Sequence, residues 1–213
     1  MIEFTEYKNR AEWLKGRKKS IGASEIAIAC GESVRTPNEL WQEKHGDVDG
    51  QDLSGNERVH YGTEAEKYLR GLFSLKHEKE YKVEYYPFRV YRNTDEPFLT
   101  CTLDGELTRL SDGAKGGWEC KTVLVQSRRT LEEWDNQIPQ KYYCQVLQQM
   151  YCAGLEFVIL NAELRFTDYN ADIREYLIER KNVEDDIKWV VEQGKKMKDY
   201  ILSGKKPPLK LKL

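Results

Sequence analysis

Apolar residues in the first third of this chain recur every three to four positions, which is the spacing of one buried helix face. The pattern predicts helices that begin after Asn9, at Ser24 and at Thr36-Pro37, and a longer helix over 56–77. Asn, Ser and Thr accept hydrogen bonds from the free amides at a helix start, and proline fits the first turn. We therefore expect the first third of the chain to be helical.

The apolar spacing changes to every second position in the middle of the chain, which is typical of strands. Segment 83–91 predicts a strand that is interrupted near Pro87. Segments 98–107 and 118–125 predict a hairpin, because the glycine-rich stretch 111–117 between them can form its turn.

The last third of the chain combines both spacings. It predicts a helix over 139–153, strands over 157–164 and 172–180, and a final helix over 182–203 that is capped by Asn182. Helices followed by a sheet with an inserted helix are typical of a mixed α/β fold.

Loops interrupt these elements only briefly. The likeliest loops are the stretches 46–55 and 111–117 and a basic tail over 204–213. No internal repeat separates one part of the chain from another. We therefore expect one domain over 1–213.

The charge balance limits how the chain can bind polyanions. Of its 213 residues, 34 are lysine or arginine and 36 are aspartate or glutamate, for a net charge of −2. This balance excludes binding of nucleic acid or an anionic membrane through bulk positive charge alone. Any contact with nucleic acid must be local.

The apolar runs and the cysteines indicate the cellular compartment of the protein. No apolar run approaches the about 20 residues of a membrane span, and the N-terminal segment lacks the apolar core of a signal peptide. We therefore expect a cytoplasmic protein with no membrane partner. The five cysteines form no Cys-x-x-Cys pair, so we expect reduced, buried thiols and no disulfide framework, zinc ribbon or iron–sulfur cluster.

Two carboxylates and a lysine on the predicted hairpin are the strongest candidates for chemistry. Asp104 lies where one strand turns, and Glu119 and Lys121 share one face of the next strand while Cys120 points the other way. Glu66, in the middle of the long helix, can supply a third carboxylate. Hard oxygen ligands beside a lysine suit Mg²⁺ or Mn²⁺. Taken singly, each element also fits a plain turn or a solvated strand face.

The order of the motifs resembles a known family. Asp104 followed by Glu119-Cys120-Lys121 resembles the D…ExK core of the PD-(D/E)XK nucleases, and the surrounding motifs resemble the lambda-exonuclease/YqaJ viral recombinase branch. The matching motifs are Trp13 with Arg17, Ala23-Ser24-Glu25, Gly62 with Glu66, Asp104-Gly105, Glu119-Cys120-Lys121 and Gln145. The proline that conventionally precedes the aspartate is replaced by Thr102-Leu103.

This resemblance implies a fold and an activity. The implied fold is a restriction-endonuclease-like core, a mixed central β-sheet flanked by helices. The implied activity is a Mg²⁺-dependent exonuclease that digests one strand of linear double-stranded DNA from a 5′ end. The remaining 3′ single-stranded tails would be used by a single-strand annealing protein in phage-type recombination. The resemblance also implies a homotrimer.

The resemblance assigns roles to individual residues. The implied metal ligands, for Mg²⁺ or a substituting Mn²⁺, are Asp104, Glu119, the backbone carbonyl of Cys120, and Glu66. Lys121 would position the attacking water, and Gln145 would steady the catalytic groups. The implied ligands of the DNA 5′ phosphate are Arg17 and Ser24.

Two other functions use the same residues. A restriction-type or repair-type endonuclease would have the same D…ExK site, because that site cuts phosphodiesters and does not itself select ends. A non-catalytic DNA-binding protein with a relic site is the third interpretation. The basic clusters at 15–20 and 127–129 could contact phosphates in any of the three, or could simply be solvated.

Overall fold

The computed structural model describes residues 1–50, 55–168 and 170–208. Parts of the predicted loop 46–55 and of the tail 204–213 lie outside these described residues. The helices are α1 (Arg10–Arg17), α2 (Ala23–Cys30), α3 (Pro37–His45), α4 (Glu57–Lys76), α5 (Arg128–Glu132), α6 (Gln140–Ala153) and α7 (Glu184–Ser203). Within those described ranges, none of them is both long and apolar enough to cross a membrane.

The strands form two sheets. Their bounds are β1 (Ile2–Glu6), β2 (Ile21–Gly22), β3 (Tyr81–Glu84), β4 (Arg89–Asn93), β5 (Leu99–Cys101), β6 (Gly105–Arg109), β7 (Lys115–Leu124), β8 (Phe157–Arg165) and β9 (Ala171–Glu179). The larger sheet has the order β3-β6-β7-β8-β9, in which β7 and β8 are parallel and the other neighbours antiparallel. The smaller sheet has the order β1-β4-β5-β2. The predicted mixed sheet with flanking helices is confirmed.

The larger sheet is covered on both faces. Helix α6 packs on one face, where its Leu147 and Met150 meet Leu160 of β8. Helix α4 covers the other face, where Phe73 meets Trp118. Burial on both faces explains why β8 reads as a nearly continuous apolar run.

Several predicted helix starts are confirmed. The Asn9 side chain accepts from the Glu12 amide at 3.0 Å, and Thr36 caps α3 with Pro37 in the first turn. Helix α6 begins one residue after Pro139.

Two predicted caps are wrong. Gly22, not Ser24, precedes α2, because the Glu25 carboxylate accepts from the Gly22 amide at 2.8 Å and closes the helix start there. Asn182 lies in a 3₁₀ turn, and α7 begins at Glu184. The Arg180 guanidinium donates to the carbonyls of Met150 and Leu155, which holds this turn against the end of α6.

The predicted strand 98–107 is also wrong as a single element. Its first part, β5, joins the smaller sheet, whereas β6 joins β7 in the predicted hairpin. Asp104 lies at the break between the two sheets. The residue is therefore placed at the junction of the two sheets.

Candidate active site

The β6–β7 hairpin places Asp104 beside β7. The backbone amide of Cys120 donates to Asp104 Oδ2 at 2.9 Å. Side chains alternate along β7, so that Cys120 packs with Trp118 under α4 while Glu119 and Lys121 point toward α6. The sequence-predicted division of this strand into two faces is observed.

Three donors surround the Glu119 carboxylate, which is 2% exposed. Lys121 Nζ and Gln145 Nε2 each donate to Oε1 at 2.5 Å, and Gln149 Nε2 donates to Oε2 at 2.5 Å. Gln149 also donates to the Thr102 carbonyl at 3.2 Å. The two glutamines are four residues apart on α6 and therefore on one helix face. Glu119 is thus fixed in position by charge-assisted hydrogen bonds.

Helix α4 contributes Glu66 together with a residue that the sequence analysis missed. Arg70 Nη1 donates to Glu66 Oε1 at 2.8 Å and to the Asp104 carbonyl at 2.6 Å. Its guanidinium also lies 3.7 Å above the centre of the Tyr85 ring. Arg70 therefore holds the Glu66 carboxylate close to the Asp104 backbone. Glu64, in contrast, is exposed and 4.0 Å from Lys67.

The carboxylates repel one another electrostatically. Burial is the main cause that raises the pKa of Asp104 well above its usual value, and the charges of Glu119 and Glu66 raise it further. Burial also raises the pKa of Glu66, although Arg70 partly offsets the effect. Burial and mutual repulsion therefore disfavour having these carboxylates charged at the same time.

Lys121 is positioned as an ammonium group. Burial by itself would lower its pKa, but the carboxylates of Glu119 and Asp104 outweigh burial, and the pKa of Lys121 is raised. Its Nζ lies 5.2 Å from the centre of the Tyr142 ring. The side chain is 19% exposed, so it can reach a molecule in the cleft.

The other end of the same cleft is basic. Arg17 Nη2 donates to Ser24 Oγ at 2.9 Å, and the Arg17 guanidinium lies 4.7 Å from the centre of the Trp13 ring. Because Ser24 is not a cap, its hydroxyl is free to accept from Arg17. A guanidinium held in this way can make paired hydrogen bonds to a phosphate.

The carboxylate residues and the basic residues line one cleft, which is called the main cleft below. It has a volume of about 440 Å³. All sequence-predicted site residues line it: Arg17, Ser24, Glu66, Asp104, Glu119, Cys120, Lys121 and Gln145. Its two ends thus combine a carboxylate cluster with a guanidinium in a single space.

The residues at the carboxylate end fit a divalent cation. Among the described residues, no group of three or more His, Cys, Asp or Glu side chains is arranged so that it could hold a metal ion. Mg²⁺, however, is commonly held by only one or two carboxylates and completes its shell with water and substrate oxygens. Asp104 and Glu119 supply two such carboxylates. A cation would also offset the repulsion that raises the pKa of Asp104.

The basic cluster at 127–129 does not line the main cleft. Arg128 and Arg129 on α5 are exposed and pair with Glu132 and Glu133. The five cysteines are all buried, as predicted.

Comparison with known sequences identifies the family to which this chain belongs. Residues 12–156 match the profile of the YqaJ-like viral recombinase domain. The chain is 31% identical over 151 residues to the uncharacterized protein YqaJ of Bacillus subtilis (strain 168). That alignment covers 70% of this chain and 44% of the relative, so the chain spans less than half the length of that protein.

Comparison with solved structures gives the fold. The chain is similar to the alkaline exonuclease LHK-Exo from Laribacter hongkongensis, with a TM-score of 0.63 and 15% identity over 92% of this chain and 96% of that chain. The complex of LHK-Exo with dAMP gives a TM-score of 0.65 at 16% identity, again over 92% and 96% of the two chains. A phage related exonuclease from Haemophilus somnus 129PT gives 0.54 at 14% identity, over 87% and 96%.

Proposed function

Because this chain belongs to the YqaJ-like viral recombinase domain family, we propose that it is a Mg²⁺-dependent 5′-to-3′ exonuclease. It would digest one strand of linear double-stranded DNA and leave 3′ single-stranded tails for phage-type recombination by strand annealing. The observation that carries the proposal is the main cleft, which is lined by Asp104, Glu119 and Lys121 together with Arg17 and Ser24. The binding of dAMP, a deoxynucleotide, by the structurally similar LHK-Exo supports a DNA substrate.

The carboxylate end would perform the hydrolysis. Asp104, Glu119 and the Cys120 carbonyl would hold Mg²⁺, or Mn²⁺ in its place, and Glu66 would complete the surroundings. The metal would polarise the scissile phosphate and lower the pKa of bound water. The Lys121 ammonium would orient the attacking water and offset the developing negative charge. Gln145, through its hydrogen bond to Glu119, would keep this carboxylate in place.

The basic end would select the terminus. Arg17 and Ser24 would hold the 5′ phosphate, and the scissile bond would then lie toward Asp104. A fixed distance between the phosphate site and the carboxylates would release one short product at each cut. This arrangement would give the reaction its direction along the strand.

Linear and covalently closed duplex DNA distinguish the proposed function from its alternatives. Purified protein with Mg²⁺ should release mononucleotides from linear DNA and leave closed circles intact. Nicking of closed circles would instead indicate an endonuclease. Binding of both DNAs without any cleavage would indicate a non-catalytic DNA-binding protein.

Arg17→Ala should remove a preference for phosphorylated ends. The wild-type protein is expected to digest 5′-phosphorylated duplexes faster than 5′-hydroxyl duplexes, because paired hydrogen bonds from a guanidinium recognise a phosphate that alanine cannot bind. The measurement is the initial rate on two duplexes that differ only in the 5′ group. Lys18→Ala is the matched control, because Lys18 pairs with Asp49 at 3.8 Å and does not line the main cleft. An undiminished preference in Arg17→Ala would contradict the assignment.

The proposed partners are a single-strand annealing protein and two further copies of the chain. A near-neutral monomer would soon dissociate from duplex DNA. Repeated cutting of one DNA molecule therefore requires a feature that keeps the protein on the DNA. A homotrimer that encloses the DNA would provide it. Sedimentation velocity at the working concentration tests this assembly, and a monomer that digests DNA distributively would contradict it.

A further inference from the structure

A second cavity adjoins the main cleft at Arg17. It has a volume of about 440 Å³ and shares Arg17, Val90 and Thr100 with the main cleft. It extends away from the carboxylates, toward Lys15, Lys19 and Arg92. We call it the upstream pocket, because it lies beyond the proposed 5′-phosphate site.

The cations that line the upstream pocket form no ion pairs with the described residues. Four cationic side chains line it, and Glu12 is the one carboxylate among its lining residues. Within residues 1–50, 55–168 and 170–208, none of the four pairs with a carboxylate. In contrast, Lys18, which is next to Lys19, pairs with Asp49. Four unpaired like charges around one cavity repel one another, and an anion bound between them would relieve that repulsion.

Neutral hydroxyl groups lie between these cations. Ser20 Oγ and Thr100 Oγ1 are 2.9 Å apart and buried, and both residues line the pocket. Arg92 Nη2 donates to Thr5 Oγ1 at 3.2 Å, whereas Arg92 Nε is buried with no hydrogen-bond partner. Hydroxyl and guanidinium groups are the usual protein donors to phosphate oxygens.

From this geometry we infer that the upstream pocket binds backbone phosphates of a single-stranded 5′ extension. The inference rests on the proposed function. Arg17, at the junction of the two cavities, would hold the terminal phosphate of a flush end and an internal phosphate of an extended end. A strand that continues past Arg17 toward its own 5′ end would place its next phosphates between Lys15, Lys19 and Arg92. The protein would therefore bind duplexes with short 5′ extensions as well as flush ends.

Binding without cleavage tests this inference. Fluorescence anisotropy in EDTA measures binding of the protein to a blunt 5′-phosphorylated duplex and to the same duplex with a three-nucleotide 5′ extension. The wild-type protein should bind the extended duplex about tenfold more tightly, since extra phosphate contacts raise affinity at low salt. The double variant Lys15→Ala/Lys19→Ala should reduce this advantage to about twofold or less.

Salt dependence adds a second measurement. Each lysine–phosphate contact to a single strand contributes about 0.7 to the slope of log K against log salt concentration. The double variant should therefore lower the slope for the extended duplex by about 1.4, and Lys18→Ala should leave it unchanged. If wild-type protein binds the blunt and extended duplexes equally, the upstream pocket is wrongly assigned. If it binds neither duplex in EDTA and also fails to digest linear duplex DNA with Mg²⁺, the proposed function itself is contradicted.

Discussion

Asp104→Ala and Glu119→Ala are each expected to abolish Mg²⁺-dependent digestion of linear duplex DNA, with a loss of more than about 10³-fold. These two residues supply the carboxylates that fit the cation. Glu106, the other carboxylate on β6, is bonded instead to Arg89 and Tyr91. The measurement is the release of mononucleotides at saturating Mg²⁺.

Glu64→Ala is the matched control for this pair. It removes a carboxylate from the same helix that provides Glu66, but Glu64 is exposed beside Lys67 and does not line the main cleft. Its digestion rate should equal that of the wild type. Normal digestion by Asp104→Ala or Glu119→Ala would show that the assignment of the metal ligands is wrong.

Asp104→Asn separates this loss of activity from a loss of folding. Burial first, and then Glu119 and Glu66, raise the pKa of Asp104 in the folded chain. The folded chain therefore binds this proton more tightly than the unfolded chain, so the contribution of Asp104 to stability falls as the pH rises above about 4. Asparagine can still accept the hydrogen bond from the Cys120 amide and carries no charge.

In EDTA, Asp104→Asn should therefore melt at or above the wild-type temperature, and the difference should grow as the pH rises from about 4. Circular dichroism during heating measures it. A variant that melts well below the wild type at every pH would show that Asp104 is needed mainly for folding.

Lys121→Ala should lower the rate at saturating Mg²⁺ by about 10²-fold or more, in the range for removal of one preorganised charge. The raised pKa of Lys121 keeps its ammonium charged in the main cleft. Glu119 would keep the hydrogen bonds from Gln145 and Gln149 in this variant, so its carboxylate stays in place. Metal affinity is therefore expected to change little.

Two measurements check the role of Lys121. The rate at saturating Mg²⁺ reports the reaction, and calorimetric titration of Mg²⁺ reports metal binding. Lys141→Ala is a suitable control, because Lys141 lies 4.6 Å from the centre of the same Tyr142 ring but does not line the main cleft. A Lys121→Ala variant that loses metal binding yet keeps its turnover would contradict the assigned role.

The sequence by itself determined the local elements and the chemistry along the hairpin. Apolar spacing located the long helix α4, the helix α6 and the strands β7 and β9, and a nearly continuous apolar run located β8. The family resemblance, based on short motifs in a fixed order, was confirmed by the match over residues 12–156. Alternation along β7 placed Glu119 and Lys121 on one face without any tertiary information.

Only the tertiary structure decided which distant segments share the main cleft. The segment 98–107 divides between two sheets because β5 pairs with β2 and β4, and β6 with β3 and β7, contacts that local spacing does not encode. Gln149 belongs to the site because it donates to Glu119, 30 positions away, and Arg70 because it donates to the Asp104 carbonyl, 34 positions away. Such contacts depend on how α4 and α6 pack on opposite faces of the larger sheet. Side-chain periodicity specifies the face that a residue occupies, whereas packing between elements specifies the residue that it meets.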